Sequence, residues 1–108
     1  MSTRLPGKKY KSVFDRGRPL RGRLMTAWVL RSEDAGRQAG VVVSKKSFHD
    51  AVDRNRAKRI LREGFRLVAS ELPPDADWVL VGRAAVRGRR TADVMAELRG
   101  LAKRCGQS

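Results

Sequence analysis

The sequence predicts an α+β fold: a sandwich of helices against a small mixed sheet, in the order α-β-β-α-β-α. Three observations predict it. An apolar stripe of helical period runs through residues 57–68, short β-branched or alternating runs stand at 24–30, 40–44 and 78–81, and Gly and Pro punctuate the chain between them. A chain of 108 residues, 41% of them hydrophobic, can bury one modest core. One domain over 1–108 is therefore expected, with a basic N-terminal segment 1–8 expected to be flexible.

The elements follow in order. Lys9 to Asp15 reads as a short helix stopped by Gly17 and Pro19. Leu24 to Leu30 alternates as a strand, with Thr26 and Trp28 on one face and Ala27 and Val29 on the other. Asp34 to Arg37 is a turn, and Gly40 to Ser44 is short and β-branched, which suits a central strand. Asp50 can cap a long helix reaching to about Ser70, with Ala57, Ile60, Leu61, Gly64, Phe65 and Val68 on its inner face. Pro73 and Pro74 end that segment. Trp78 to Val81 is the third strand, and Thr91 caps a last helix through Val94, Met95, Leu98, Leu101 and Ala102. Phe65 and Trp78 are expected in the core.

Charge narrows the function. Twenty-five Lys and Arg face eleven Asp and Glu, a formal net charge of +14 and a pI near 11.5. Such a chain repels itself on compaction unless a polyanion is near. Nucleic acid is the leading partner, because neutralising phosphates releases counterions, and an anionic membrane surface is the competitor. No apolar run approaches the roughly 20 residues that span a bilayer, and the N-terminus lacks a signal-peptide block. A cytoplasmic protein without membrane association is the expectation. The positive charge comes in three blocks. Residues 1–23 hold eight cations against one acid, 44–66 eight against three, and 83–108 seven against two. The last block contains the Arg/Gly run Arg87-Gly88-Arg89-Arg90.

The long helix concentrates this charge. At about 100° per residue its apolar positions share one arc, while Asn55, Lys58, Arg59, Arg62 and Arg66 gather on another. Arg56 falls on the other flank, near Glu63. Charge runs on helices are usually solvated faces, but Lys58–Arg62 and Arg62–Arg66 are like-charged pairs four apart, which destabilise an isolated helix. Arg presents a planar fork that grips phosphate oxygens in pairs. Asn55 adds an amide for a base edge or a sugar hydroxyl. RNA or DNA binding by this helix is the reading.

The run from Val41 to Phe65, VVVSKKSFHDAVDRNRAKRILREGF, resembles the signature region of the ribonuclease P protein subunit. The resemblance rests on Ser44-Lys45-Lys46 closing a strand, then Ala51, Arg54-Asn55-Arg56, Lys58-Arg59 and Arg62-Glu63 on the helix. Ala57 stands where the family commonly has a larger aliphatic residue. Upstream, Tyr10, Val13, Phe14, Gly17, Arg23 and Trp28 sit at similar spacings, so the likeness covers about residues 8–104. It implies a left-handed β-α-β crossover, where chain chirality alone predicts a right-handed one.

The resemblance also implies a function. The chain would be the protein subunit of the ribonuclease P ribonucleoprotein, a tRNA-processing endoribonuclease whose catalyst is RNA, with magnesium bound mainly by that RNA. Lys45, Lys46, Arg54, Asn55, Arg56, Lys58, Arg59, Arg62 and Arg66 would face the catalytic RNA. A groove of Tyr10, Phe14 and Trp28, flanked by Lys8, Lys9, Lys11 and Arg16, would take the single-stranded 5′ leader of precursor tRNA. Aromatic stacking suits that task, since each base is worth roughly 1–3 kcal/mol regardless of sequence. Phe14 either lines this groove or pins the first helix to the sheet.

No catalytic or metal-binding constellation emerges from the residues. His49 is the only histidine and reads as a loop or helix-entry residue, and Asp50 and Asp53 suit a helix N-terminus. Cys105 is alone, so it forms no internal disulfide and reads as a helix-end residue. No obligate protein partner is expected. The alternative is a ribosomal or other RNA-scaffold protein without a catalytic partner. A DNA-binding module is disfavoured, because no helix-turn-helix spacing appears.

Overall fold

The computed structural model describes residues 4–105. Helix α1 spans Tyr10–Arg16, entered through a 3-10 turn at Gly7–Lys9. Strands β1 (Arg18–Arg21), β2 (Met25–Arg31) and β3 (Ala39–Val42) follow. Helix α2 (Ala51–Val68) runs on into a 3-10 turn at Ala69–Glu71. Strand β4 (Ala76–Gly82) and helix α3 (Thr91–Cys105) complete the chain. The sheet order is β1-β2-β4-β3, with β3 and β4 parallel and the other pairs antiparallel.

The α+β sandwich with a mixed sheet is as expected, with one strand more. β1 falls where Gly17 and Pro19 had read only as a helix stop. Proline is tolerated there because β1 is an edge strand, paired on one side alone. The N-terminal segment 1–8 is described from Arg4 onward. Residues 1–3 lie outside the described residues, but from Arg4 onward the segment is docked. Arg4 bridges to Ala39, Leu5 donates its N–H to the Ala39 carbonyl at 3.0 Å, and the Leu5 side chain is buried.

The crossover from β3 through α2 to β4 is left-handed, and chirality shows why. Trp78 sends its backbone N–H toward β3, to the Gln38 carbonyl at 2.8 Å, while its ring packs edge-on against Phe65 of α2. For L-residues that orientation puts β3 to the right of β4 when the strands point up and α2 lies toward the viewer. The chain therefore steps leftward in front of the sheet, against the usual rule.

Both sheet faces are covered, which is why β4 reads as a continuous apolar run. On one face Met25, Ala27, Val29, Trp78 and Leu80 meet the stripe of α2 and Val94, Leu98 and Leu101 of α3. Gly64 lies at the α2–α3 crossing, against Val94. On the other face Val79 packs with Leu5 and Val13 under α1, and Tyr10, Phe14, Trp28, Leu30, Val42 and Val81 surround them half-buried. Asp50 caps α2 as expected, its carboxylate accepting the Val52 N–H at 2.8 Å. Cys105 ends α3, buried.

Candidate RNA interface

The structure builds two separate polar surfaces, one on α2 and one on the α1 side of the sheet. On α2, burying Ala57, Ile60, Leu61, Phe65 and Val68 turns the opposite arc outward. Asn55, Lys58, Arg59, Arg62 and Arg66 line a shallow depression there, joined by Glu63 and by Arg4 from the docked N-terminal segment. Five cations thus face one carboxylate. Sequence reasoning missed Arg4, because only the pairing of its segment with β3 brings it to the helix.

Two residues of α2 differ from the sequence reading. Glu63 pairs with Arg66 rather than siding with Arg56. The Arg66 guanidinium holds the Glu63 carboxyl below its ordinary value, so it stays ionised at neutral pH. Arg54 turns inward, and its Nη1 donates to the Phe48 and His49 carbonyls at 2.9 and 3.0 Å. It ties the entry loop to the helix, so part of its fork is already engaged. Arg56 is exposed but stands outside the depression. Lys45 and Lys46 are exposed in a tight turn after β3, closed by the Ser47 N–H donating to Ser44 Oγ at 3.1 Å.

On the other surface, Phe14 and Trp28 meet edge-to-face with ring centroids 5.5 Å apart. Trp28 is half-buried, on the same strand face as Thr26. It opens into a depression lined by Pro19, Arg21, Thr26, Val81 and Arg83. Phe14 packs α1 on the sheet with its ring against the indole, and it is not among the residues lining that depression. Arg21 and Arg83 were missed, since they lie on β1 and after β4, far apart in sequence. Arg83 is held in place by donating to the Gly22 carbonyl at 2.8 Å.

Tyr10 is more structural than a lining residue. Its ring lies flush on Gly40, where any Cβ would overlap it, and its hydroxyl accepts the Val41 N–H at 3.2 Å. Lys9 is likewise engaged: its ammonium sits 3.7 Å from the buried Asp77 carboxylate and donates to the Asp34 carbonyl at 3.4 Å. Asp77 in turn accepts the Gly36 N–H at 3.0 Å, so it organises the β2–β3 loop. Lys8, Lys11 and Arg16 are exposed along α1 and its entry.

Among the described residues no three His, Cys, Asp or Glu side chains lie close enough together to hold a metal ion. Among the same residues no helix is long and apolar enough to cross a membrane.

A compact basic scaffold with an arginine-faced helix on one side and an aromatic groove on the other defines a small α+β RNA-binding protein. The comparisons with known proteins are more specific. The family model described as Ribonuclease P matches residues 5–106. A ribonuclease P protein component from an Exiguobacterium species is 31% identical over 97 residues, covering 90% of this chain and 83% of that one. Its counterpart from Thioalkalivibrio sulfidiphilus is 37% identical over 91 residues, covering 84% and 75%. The RNase P protein from Thermotoga maritima superposes with a TM-score of 0.79 at 25% identity, covering 94% and 96%. The chain belongs to the ribonuclease P protein family. These relatives do not support the alternative of a ribosomal scaffold protein.

Proposed function

We propose that this chain is the protein subunit of a cytoplasmic ribonuclease P, holding the catalytic RNA with α2 and the 5′ leader of precursor tRNA in the groove beside Trp28. The observation that carries the reading is the division of labour between the two surfaces. The α2 depression offers forked cations without an exposed ring, which suits the phosphates of a folded RNA. The groove couples a half-exposed indole to Arg21 and Arg83, which suits a single strand whose bases stack while its phosphates pair.

Cleavage then belongs to the RNA, as does the magnesium. The contribution of this chain is binding: by fixing the leader and the catalytic RNA to one rigid sheet, it raises the effective concentration of the scissile bond at the RNA. It also supplies positive charge where two polyanions must approach.

The test is reconstitution with a bacterial ribonuclease P RNA, precursor tRNA and low magnesium at moderate salt. Arg59→Ala or Arg62→Ala should weaken binding of the catalytic RNA and flatten its salt dependence by about one contact each. Trp28→Ala should instead weaken affinity for long-leader substrates while sparing mature tRNA. Equal losses on both substrates would sink the groove assignment.

A further inference from the structure

The arginine run 87–90 lies outside both surfaces, yet the fold places it with care. β3 and β4 are parallel, with Val42 beside Val81, so the loops that follow them leave the same end of the sheet. One is the turn carrying Lys45 and Lys46. The other is the segment 83–90, which holds four arginines, no acid and no aromatic residue.

These two loops are fastened together. Arg87 Nη2 donates to the Ser47 carbonyl at 2.8 Å, and its guanidinium lies 5.1 Å from the centre of the buried Phe48 ring. The Arg87 Nε also stands 3.9 Å from Asp53, in the first turn of α2. Val86 is fully buried beneath the loop, and Gly88 adopts φ +76°, a left-handed turn that glycine takes without strain. Arg83 at the loop's start is anchored on Gly22. Arg87 is thus spent on holding the loop, and Arg83 belongs to the Trp28 groove.

Arg89 and Arg90 do neither. Both are exposed, and among the described residues their side chains make no hydrogen bond or ion pair. The nearest acid in sequence, Asp93, is occupied by the Arg90 backbone N–H at 2.9 Å. Two uncompensated guanidinium groups stand on a loop pinned to the entry of α2, beside two exposed lysines. Electrostatic self-repulsion opposes that arrangement unless a polyanion meets it. Because the loop has no ring to stack a base, it suits a phosphate backbone and not the bases of a single strand.

We propose that Arg89 and Arg90, with Lys45 and Lys46, form a third RNA site that grips the phosphate backbone of the same RNA held by α2. The proposal rests on the reading of α2 as the catalytic-RNA helix, with which Lys45 and Lys46 are already grouped, and it assigns a role to Arg89 and Arg90, which neither surface uses.

The experiment is titration of the full-length Arg89→Ala/Arg90→Ala variant with a bacterial ribonuclease P RNA between 50 and 200 mM salt. Loss of two phosphate contacts should make the slope of log K against log salt shallower by about 1.8. The ratio of wild-type to variant affinity should then shrink about twelve-fold across that range. Arg89→Lys/Arg90→Lys should restore most of the slope, and the melting temperature should match wild type in both variants. The preference for long-leader over mature substrate should not change. An unchanged slope overturns the proposal, as does a changed leader preference with unchanged RNA binding, which would assign the loop to the substrate. Arg59→Ala and Arg62→Ala run in parallel separate the two levels. If they flatten the slope and the loop variant does not, only the third site fails. If none does, the reading of α2 fails with it.

Discussion

Replacing Glu97 with alanine should destabilise the fold by several kcal/mol, although Glu97 lies outside both surfaces proposed to meet RNA. From α3 its carboxylate reaches the β1–β2 turn and accepts three consecutive backbone N–H groups. Oε1 takes Arg23 at 2.7 Å, both oxygens take Leu24 at 3.0–3.1 Å, and Oε2 takes Met25 at 3.1 Å. Arg23 is exposed, so water can replace its partner, but Leu24 and Met25 are buried. Stranding a buried donor costs about 1–3 kcal/mol, so two amount to about 2–6 kcal/mol. That is a large fraction of the roughly 5–15 kcal/mol that holds a domain of this size together. Glu97→Gln keeps one acceptor oxygen and should cost about half as much. Urea unfolding of the three proteins reads the effect, and a loss below about 0.5 kcal/mol in Glu97→Ala would refute the reasoning. The same turn supplies Arg21 and the Gly22 carbonyl that anchors Arg83, so leader affinity should fall along with stability.

Gly40→Ala should cost about 1–3 kcal/mol by overpacking, since the new methyl must displace the Tyr10 ring. It should leave the salt dependence of catalytic-RNA binding unchanged, and altered α2 binding would show that Tyr10 does more than hold α1 on the sheet. Stability should also depend on pH in a defined window. Hydrogen bonds from Arg66 and Arg99 hold the Glu63 and Glu71 carboxyls below their ordinary 4.5. Groups so depressed contribute fully above that value, and their contribution is lost as pH falls through the lower folded values. Urea midpoints should therefore be flat from pH 8 to 5 and decline below about 4.5. A decline between pH 8 and 6 would contradict this.

The parts of the fold legible in the sequence are those whose signal is periodic and local. The stripe from Ala57 to Val68 announces α2 because one helix face alone is buried, and the alternation around Trp28 places its ring opposite Ala27 and Val29. β1 was illegible because its four residues bury only Leu20 and include Pro19, so no alternation can show. The docking of Leu5 was hidden by the positive charge around it, since its partner Ala39 lies 34 residues away. The α2 face was largely readable, being one stretch of chain. Its exceptions, the inward turn of Arg54 and the pairing of Glu63 with Arg66, depend on rotamers and on loop carbonyls that no wheel contains. The groove was half readable: Trp28 is aromatic and conspicuous, whereas Arg21 and Arg83 become groove residues only when β1, β2 and β4 assemble side by side. Lys9 was misleading because its partner, the buried Asp77, sits on the second-last element.

The most direct test of the central claim is leader removal from precursor tRNA by a bacterial ribonuclease P RNA at low magnesium, measured with and without this chain. The account predicts that the chain raises both leader removal and affinity for the long-leader substrate, and that Trp28→Ala reduces the second gain while leaving RNA binding intact. No gain in either quantity on adding the wild-type chain would contradict it.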